Sequence, residues 1–166
     1  EAAAAGRVAA DVNAPHLSRV PRRLLELIGF EKELGLHNAE MTTSPQPLNA
    51  AGVRAQAAEV RARLEAAEET TGAEGMRLIS DAMWTVPPVG ETAREYLTDD
   101  VVLDGVRIAT NMSDAVRYHA MANGPGPGSF SIDAPHVELT ADTVMPESLI
   151  TSIQPHYQVA RAEDIP

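Results

Sequence analysis

The chain has 166 residues, about one domain's worth, and its 44% hydrophobic and 22% charged content is ordinary for a globular protein, which excludes disorder throughout. Twenty-four acidic residues against 13 basic ones leave a net charge of -11. No stretch concentrates Lys and Arg into a phosphate-tracking patch, so nucleic acid and anionic membrane surfaces are excluded as partners.

Residues 1–30 form a lead-in, Ala-rich over residues 1–17. Within it, Ser18 is placed to cap a short helix carrying Val20, Leu24, Leu27 and Ile28 on one face, with Pro21 in the first turn. His37 to Pro45 alternates like a strand, and Ser44-Pro45-Gln46-Pro47 ends it because proline cannot donate to a sheet ladder. Val53, Ala57, Val60, Leu64 and Ala67 then recur at 4-3-4-3 spacing and predict an amphipathic helix capped by Asn49 and stopped by Gly72 or Gly75. Arg54, Glu59, Arg61, Arg63, Glu65, Glu68 and Glu69 are expected on its solvated face.

Met76 to Ser80 reads as a returning strand, with Trp84 as a core or rim anchor before the turn at Pro87-Pro88. Residues 85–110 are loop-rich, with short strands at Val101–Leu103 and Val106–Ala109. Ser113 or Asp114 is expected to cap a short helix through Met121, which Asn123 and the following Gly-Pro alternation break. That alternation is no phosphate loop, since its prolines lack the N–H groups a cradle needs. Two more strands are expected at Phe130–Asp133 and His136–Leu139, and a last one at Thr151 to Val159.

The polar strands carry the chemistry. In the first, Asn38, Glu40 and Thr42 face one way and His37, Ala39 and Met41 the other. Glu40 among amides and hydroxyls suits a hard cation with oxygen ligands; an edge strand with Glu40 in water is the other reading of the same spacing. In the last, Gln154, His156 and Gln158 share a face opposite Ile153, Tyr157 and Val159. Neutral amides there orient a charged ligand and a His holds a phosphate oxygen or a proton; an ordinary polar outer face is the alternative. Arg117 and Tyr118 offer a cation and a hydroxyl to an anionic substrate, or simply sit at the surface. Ser152 has no His–Asp partner pattern, and no H-E-x-x-H, Walker or dinucleotide fingerprint is present. With no cysteine there is no disulfide, thiolate zinc site or cysteine nucleophile, which fits a cytoplasmic protein. No apolar run reaches the ~20 residues of a membrane span. A chain opening at Glu1 with neither Met nor a signal profile is expected to be a piece of a longer polypeptide.

Glu33 to Leu48, reading E-L-G-L-H-N-A-E-M-T-T-S-P-Q-P-L, resembles the E-L-G-x-x-N-x-E-x-x-x-x-P-x-P-L stretch of bacterial glutamate–cysteine ligases, the carboxylate–amine ligase group. A long helix and short strand follow in that family. Arg117-Tyr118 through Asn123 is similar to its R-Y-x-x-x-N segment with one extra residue, and Thr151 to Val159 to its T-S-x-Q-x-H-x-Q-V strand. The resemblance spans residues 33–159. It implies an α/β (α+β) chain forming part of a glutamine-synthetase-like fold, with a mainly antiparallel curved sheet and packed helices, residues 1–166 being a single partial catalytic domain.

The implied function is ATP-dependent ligation: a glutamate γ-carboxylate is activated as an acyl phosphate and attacked by an amine. ATP and Mg²⁺ are the implied cofactors, glutamate and an amine-bearing small molecule the partners. Metal ions also answer the repulsion between triphosphate and so acidic a chain. On the matching positions Glu40 is the implied metal ligand, His156 and Gln154 the catalytic groups, and Gln158 and Arg117 the cofactor contacts. Asn38, Thr42 and Gln154 are the implied substrate contacts. The family's V-G-x-E-x-E strand and carboxy-terminal half have no counterpart here, Asp81 to Pro88 departs from its G-x-L-P run, and Pro155 stands where an aromatic is common. The acceptor amine is therefore open. A non-catalytic binding or assembly domain is the alternative function, and a metal-dependent hydrolase using Glu40, His37 and His156 a third. An incomplete sheet exposes an edge, which is compatible with a homo-oligomer.

Overall fold

A computed structural model describes residues 16–80, 83, 86–123, 130–141 and 143–165. Among them are three antiparallel two-stranded hairpins and three α-helices, so the chain is α+β. The strands are β1 (Phe30–Lys32) with β2 (Ala39–Met41), β3 (Asp100–Leu103) with β4 (Val106–Ala109), and β5 (Phe130–Ala134) with β6 (Val137–Ala141). The helices are α1 (Ala50–Gly72), α2 (Ala93–Thr98) and α3 (Val116–Ala122). The hairpins do not join into the expected curved sheet among the described residues. No helix there is long and apolar enough to cross a membrane.

The local signals act as chemistry dictates. Asn49 caps α1, its side chain accepting from the Ala51 and Gly52 N–H groups. Asp104-Gly105 joins β3 to β4 with φ of 51° and 81°, the two positive values that a tight hairpin turn requires. Thr92 and Glu95 form a reciprocal capping box that starts α2. Residues 85–110 thus hold a helix that their loop-rich composition hid, although T-x-x-E was its visible mark.

Two small cores result. Leu34, Ala109, Met112, Tyr118 and Met145 form one; Leu24, Phe30 and Ala67 form the other, with Met41 and Leu78 against it. Residues 30–41 run between them, with Phe30 in one core and Leu34 in the other. The Gly35–Met112 bridge and the Ser113 N–H donating to the Leu34 carbonyl at 2.8 Å attach this segment to the chain before α3.

Several expected elements take other forms. The helix expected from Ser18 is a single 3-10 turn at Leu24–Glu26, and Ile28 is exposed. The first polar strand shrinks to Ala39–Met41, because residues 36–37 turn. Met76 to Ser80 forms no strand, having no ladder partner among the described residues. Thr151 to Val159 forms none either: its residues are all exposed, and Pro155 forfeits a ladder bond. Neither Ser113 nor Asp114 caps α3, since Ala115 holds that position; Ser113 is buried against Leu34 and Asp114 pairs with His119 at 3.1 Å. Trp84 and the Gly124–Gly128 run lie outside the described residues.

The expected face of α1 is rotated. Ala67 and Thr71 are buried while Val53 and Leu64 are exposed. The docking face runs through Glu59 and Arg63 instead of solvating them. Arg63 Nη1 donates to the Ile28 carbonyl at 3.2 Å and the Thr42 carbonyl at 2.6 Å, and Nη2 to the Glu59 carboxylate. Glu59 accepts from the Ser44 N–H at 3.1 Å and its hydroxyl at 2.9 Å. Gly29, at φ 82°, permits this: a Cβ there would overlap the Arg63 guanidinium.

Candidate functional site

The β1–β2 register places Glu31 directly opposite Glu40. Two carboxylates at directly opposed positions share a face of the hairpin and repel, a cost that a cation between them removes. Glu33, two residues beyond Glu31, is fixed differently. Its Oε1 accepts from the Leu34 N–H at 2.7 Å and from the Tyr118 hydroxyl at 2.9 Å.

Arg117 joins this cluster from α3. It donates to the Lys32 carbonyl at 3.1 Å and the Tyr118 hydroxyl at 2.9 Å, and its guanidinium carbon lies 4.6 Å from the Tyr118 ring centre. The Tyr118 hydroxyl, then the Glu33 and Glu40 charges, hold the guanidinium further into its protonated form. Burial raises the Tyr118 phenol. α3 is set there by Asn123, whose side chain replaces a strand partner: its Oδ1 accepts from the Arg107 N–H at 2.8 Å, and its Nδ2 donates to the Arg107 and His119 carbonyls.

Asn38 is half-buried beside the turn, and its Oδ1 is buried without a protein partner. Thr42 is exposed at the other end of β2, where its hydroxyl is 3.4 Å from the Gly29 carbonyl. His37 is spent on structure: Nε2–H donates to the Ser148 carbonyl at 2.8 Å, leaving Nδ1 to accept from the Tyr96 hydroxyl at 2.5 Å. Burial lowers its pKa, and burial raises the Tyr96 phenol to about 12. Neither nitrogen is left for a metal, which removes the hydrolase reading that used it.

Arg117 and Glu40 are near enough for their charges to act on each other, though no hydrogen bond or ion pair joins them among the described residues, and Asn38 is close to Glu40 in the chain. Gln154, His156 and Gln158 stand apart. Among the described residues no hydrogen bond or ion pair joins them to the hairpin, and all three are exposed. Sequence reading missed Glu31 and Glu33, whose signal was the alternate-residue spacing of carboxylates in Glu31-Lys32-Glu33.

Glu31 and Glu40, opposed in register, are oxygen donors of the chemical kind that Mg²⁺ takes. This ion is bound through one or two carboxylates and completes its shell with water and substrate phosphate oxygens. No three His, Asp or Glu side chains gather in metal-holding geometry among the described residues, so the protein would supply only part of that shell. An open cavity of about 610 Å³ beyond the end of α1, lined by Glu68, Thr71, Gly75, Met76, Arg77 and Leu78, includes none of these groups.

Comparison with curated proteins and with solved structures returns no match. The family described as Glutamate-cysteine ligase family 2 (GCS2) matches residues 2–165, a span that includes the hairpin, Arg117 and the Thr151 to Val159 segment. On that match the chain belongs to glutamate–cysteine ligase family 2, a family of ligases.

Proposed function

We propose that this chain carries part of the site of a cytoplasmic, ATP-dependent carboxylate–amine ligase. The reaction joins glutamate to an amine: phosphoryl transfer from ATP activates the γ-carboxylate, and the amine then displaces phosphate to form the amide. The observation that carries the proposal is the Glu31–Glu40 carboxylate pair with Arg117 beside it, in a chain of this family. Mg²⁺ supplies neutralisation of phosphate charge when bound. Glu40, with Glu31 opposite, would hold it. Arg117 would bind an anionic group and Asn38 Oδ1 would accept from the glutamate ammonium, with Thr42 at the rim of the same hairpin. Gln154, His156 and Gln158 complete the set by closing over substrate, His156 and Gln154 at the reacting carboxylate and Gln158 at the nucleotide. The proposal includes the fold, with the hairpins as parts of a glutamine-synthetase-like curved sheet.

The test is Glu40→Gln. Calorimetric titration with ATP in the presence of Mg²⁺ is expected to give affinity weaker by roughly tenfold, with an unchanged circular dichroism spectrum. Unchanged Mg²⁺-dependent affinity in the folded variant removes Glu40 from the site. The separation of Gln154, His156 and Gln158 from the hairpin favours one other reading, a binding or assembly domain without turnover. Glutamate- and amine-dependent ADP release by the chain overturns that second reading.

A further inference from the structure

We propose that His37 is a positioning residue that ties the segment carrying Gln154, His156 and Gln158 to the strand carrying Glu40, by holding the Ser148 carbonyl and the Tyr96 hydroxyl at once. Its importance for catalysis rests on the function proposed above; the tie itself does not.

The geometry is a three-way junction. His37 stands three positions before Glu40, in the turn that leads into β2. Ser148 stands three positions before Thr151, in the 3-10 turn Met145–Leu149. From Thr151 to Val159 every residue is exposed, so on its amino-terminal side the segment is anchored by this turn together with the bridge from Ile150 to Met83. The turn is itself well held: Met145 and Ser148 are buried, and the Ser148 hydroxyl donates to the Met145 carbonyl at 2.6 Å. Tyr96, buried on α2, orients the imidazole from the other nitrogen, with a ring-centre separation of 5.4 Å.

The contact admits no bulk between its partners. A Cβ on Gly35 would lie 2.7 Å from His37 Cε1 and 2.8 Å from Ser148 Cβ. The groups that bear on the junction are Tyr96, with Glu91 and Arg19 acting on its phenol, and Glu147 on the turn, which is exposed. No carboxylate bonds to the imidazole among the described residues; burial lowers its pKa, while the Ser148 carbonyl that accepts from Nε2 raises it.

Hydrogen exchange tests this on the full chain. The Glu147 and Ile150 amides, which close the turn onto the Val144 and Glu147 carbonyls, report the tie; amides in the middle of α1 report global opening. His37→Phe is expected to speed exchange at Glu147 and Ile150 by roughly tenfold with α1 unchanged. His37→Gln, which keeps a donor near the Nε2 position, should restore most of the protection. Should His37→Phe fail to fold, Tyr96→Phe decides: it removes only the hydroxyl bonded to Nδ1, and exchange at these two amides should rise with α1 as reference. Protection unmoved by either perturbation, or lost equally in α1, overturns the inference. Loss confined to the turn in a protein that binds no Mg²⁺-ATP keeps the tie and rejects the ligase reading instead.

Discussion

A methyl group at position 35 would meet the His37 ring and the Ser148 Cβ inside van der Waals contact, and neither neighbour is free to retreat. His37 is held at both nitrogens, and Ser148 is buried in its turn. Gly35→Ala is therefore expected to destabilise the fold by about 1–3 kcal/mol, as overpacking of a fixed contact does, measured by urea unfolding. Single residues were legible in the sequence where their chemistry is local. Asn49 was visible as a cap because a cap bonds to amides two and three positions ahead. His37 was not visible as a junction, because its partners lie 59 and 111 positions away. Glu40 kept two readings for the same reason: opposition to Glu31 is a matter of register, and register follows from which strands meet.

At the scale of the element, α1 separates periodicity from orientation. Its apolar spacing located the helix well, yet the face that docks is set by Arg63 and Glu59 gripping the chain between Ile28 and Ser44. Arg63→Met is expected to cost about 1–3 kcal/mol in urea unfolding, since it leaves two carbonyls without their donor and Glu59 with Ser44 alone. Arg61→Met, on an exposed position of the same helix, is expected to stay within about 0.5 kcal/mol. The two values would coincide if the face were merely solvated. Strands obeyed a stricter rule. β3 and β4 formed because Asp104-Gly105 brings a partner within a two-residue turn. Thr151 to Val159 has comparable alternation, but its ladder groups find no partner strand among the described residues.

For the whole molecule, acid should act in two stages. Burial depresses the His37 pKa below the ordinary 6.5, so between those values the unfolded chain binds a proton that the native one refuses, and stability falls as pH drops through about 6.5. The Ser44 N–H lowers Glu59, and Thr92 lowers Glu95, so their contributions are present above the ordinary 4.5 and are lost as pH falls below it. Urea midpoints from pH 8 to pH 4 at about 0.15 M salt, where the net charge of -11 is screened, should decline in that order. A flat midpoint between pH 7 and pH 5 would show that His37 is not buried neutral. Composition, helix spacing, caps and turn dipeptides, together with the order of motifs that marks the family, were determined by the sequence alone, because each acts within a few residues of itself. Tertiary structure alone decided that Glu31 faces Glu40, that Arg117 reaches the Lys32 carbonyl while Tyr118 reaches Glu33, and that one imidazole joins α2 to the turn before Thr151, because those contacts depend on which distant segments are brought together.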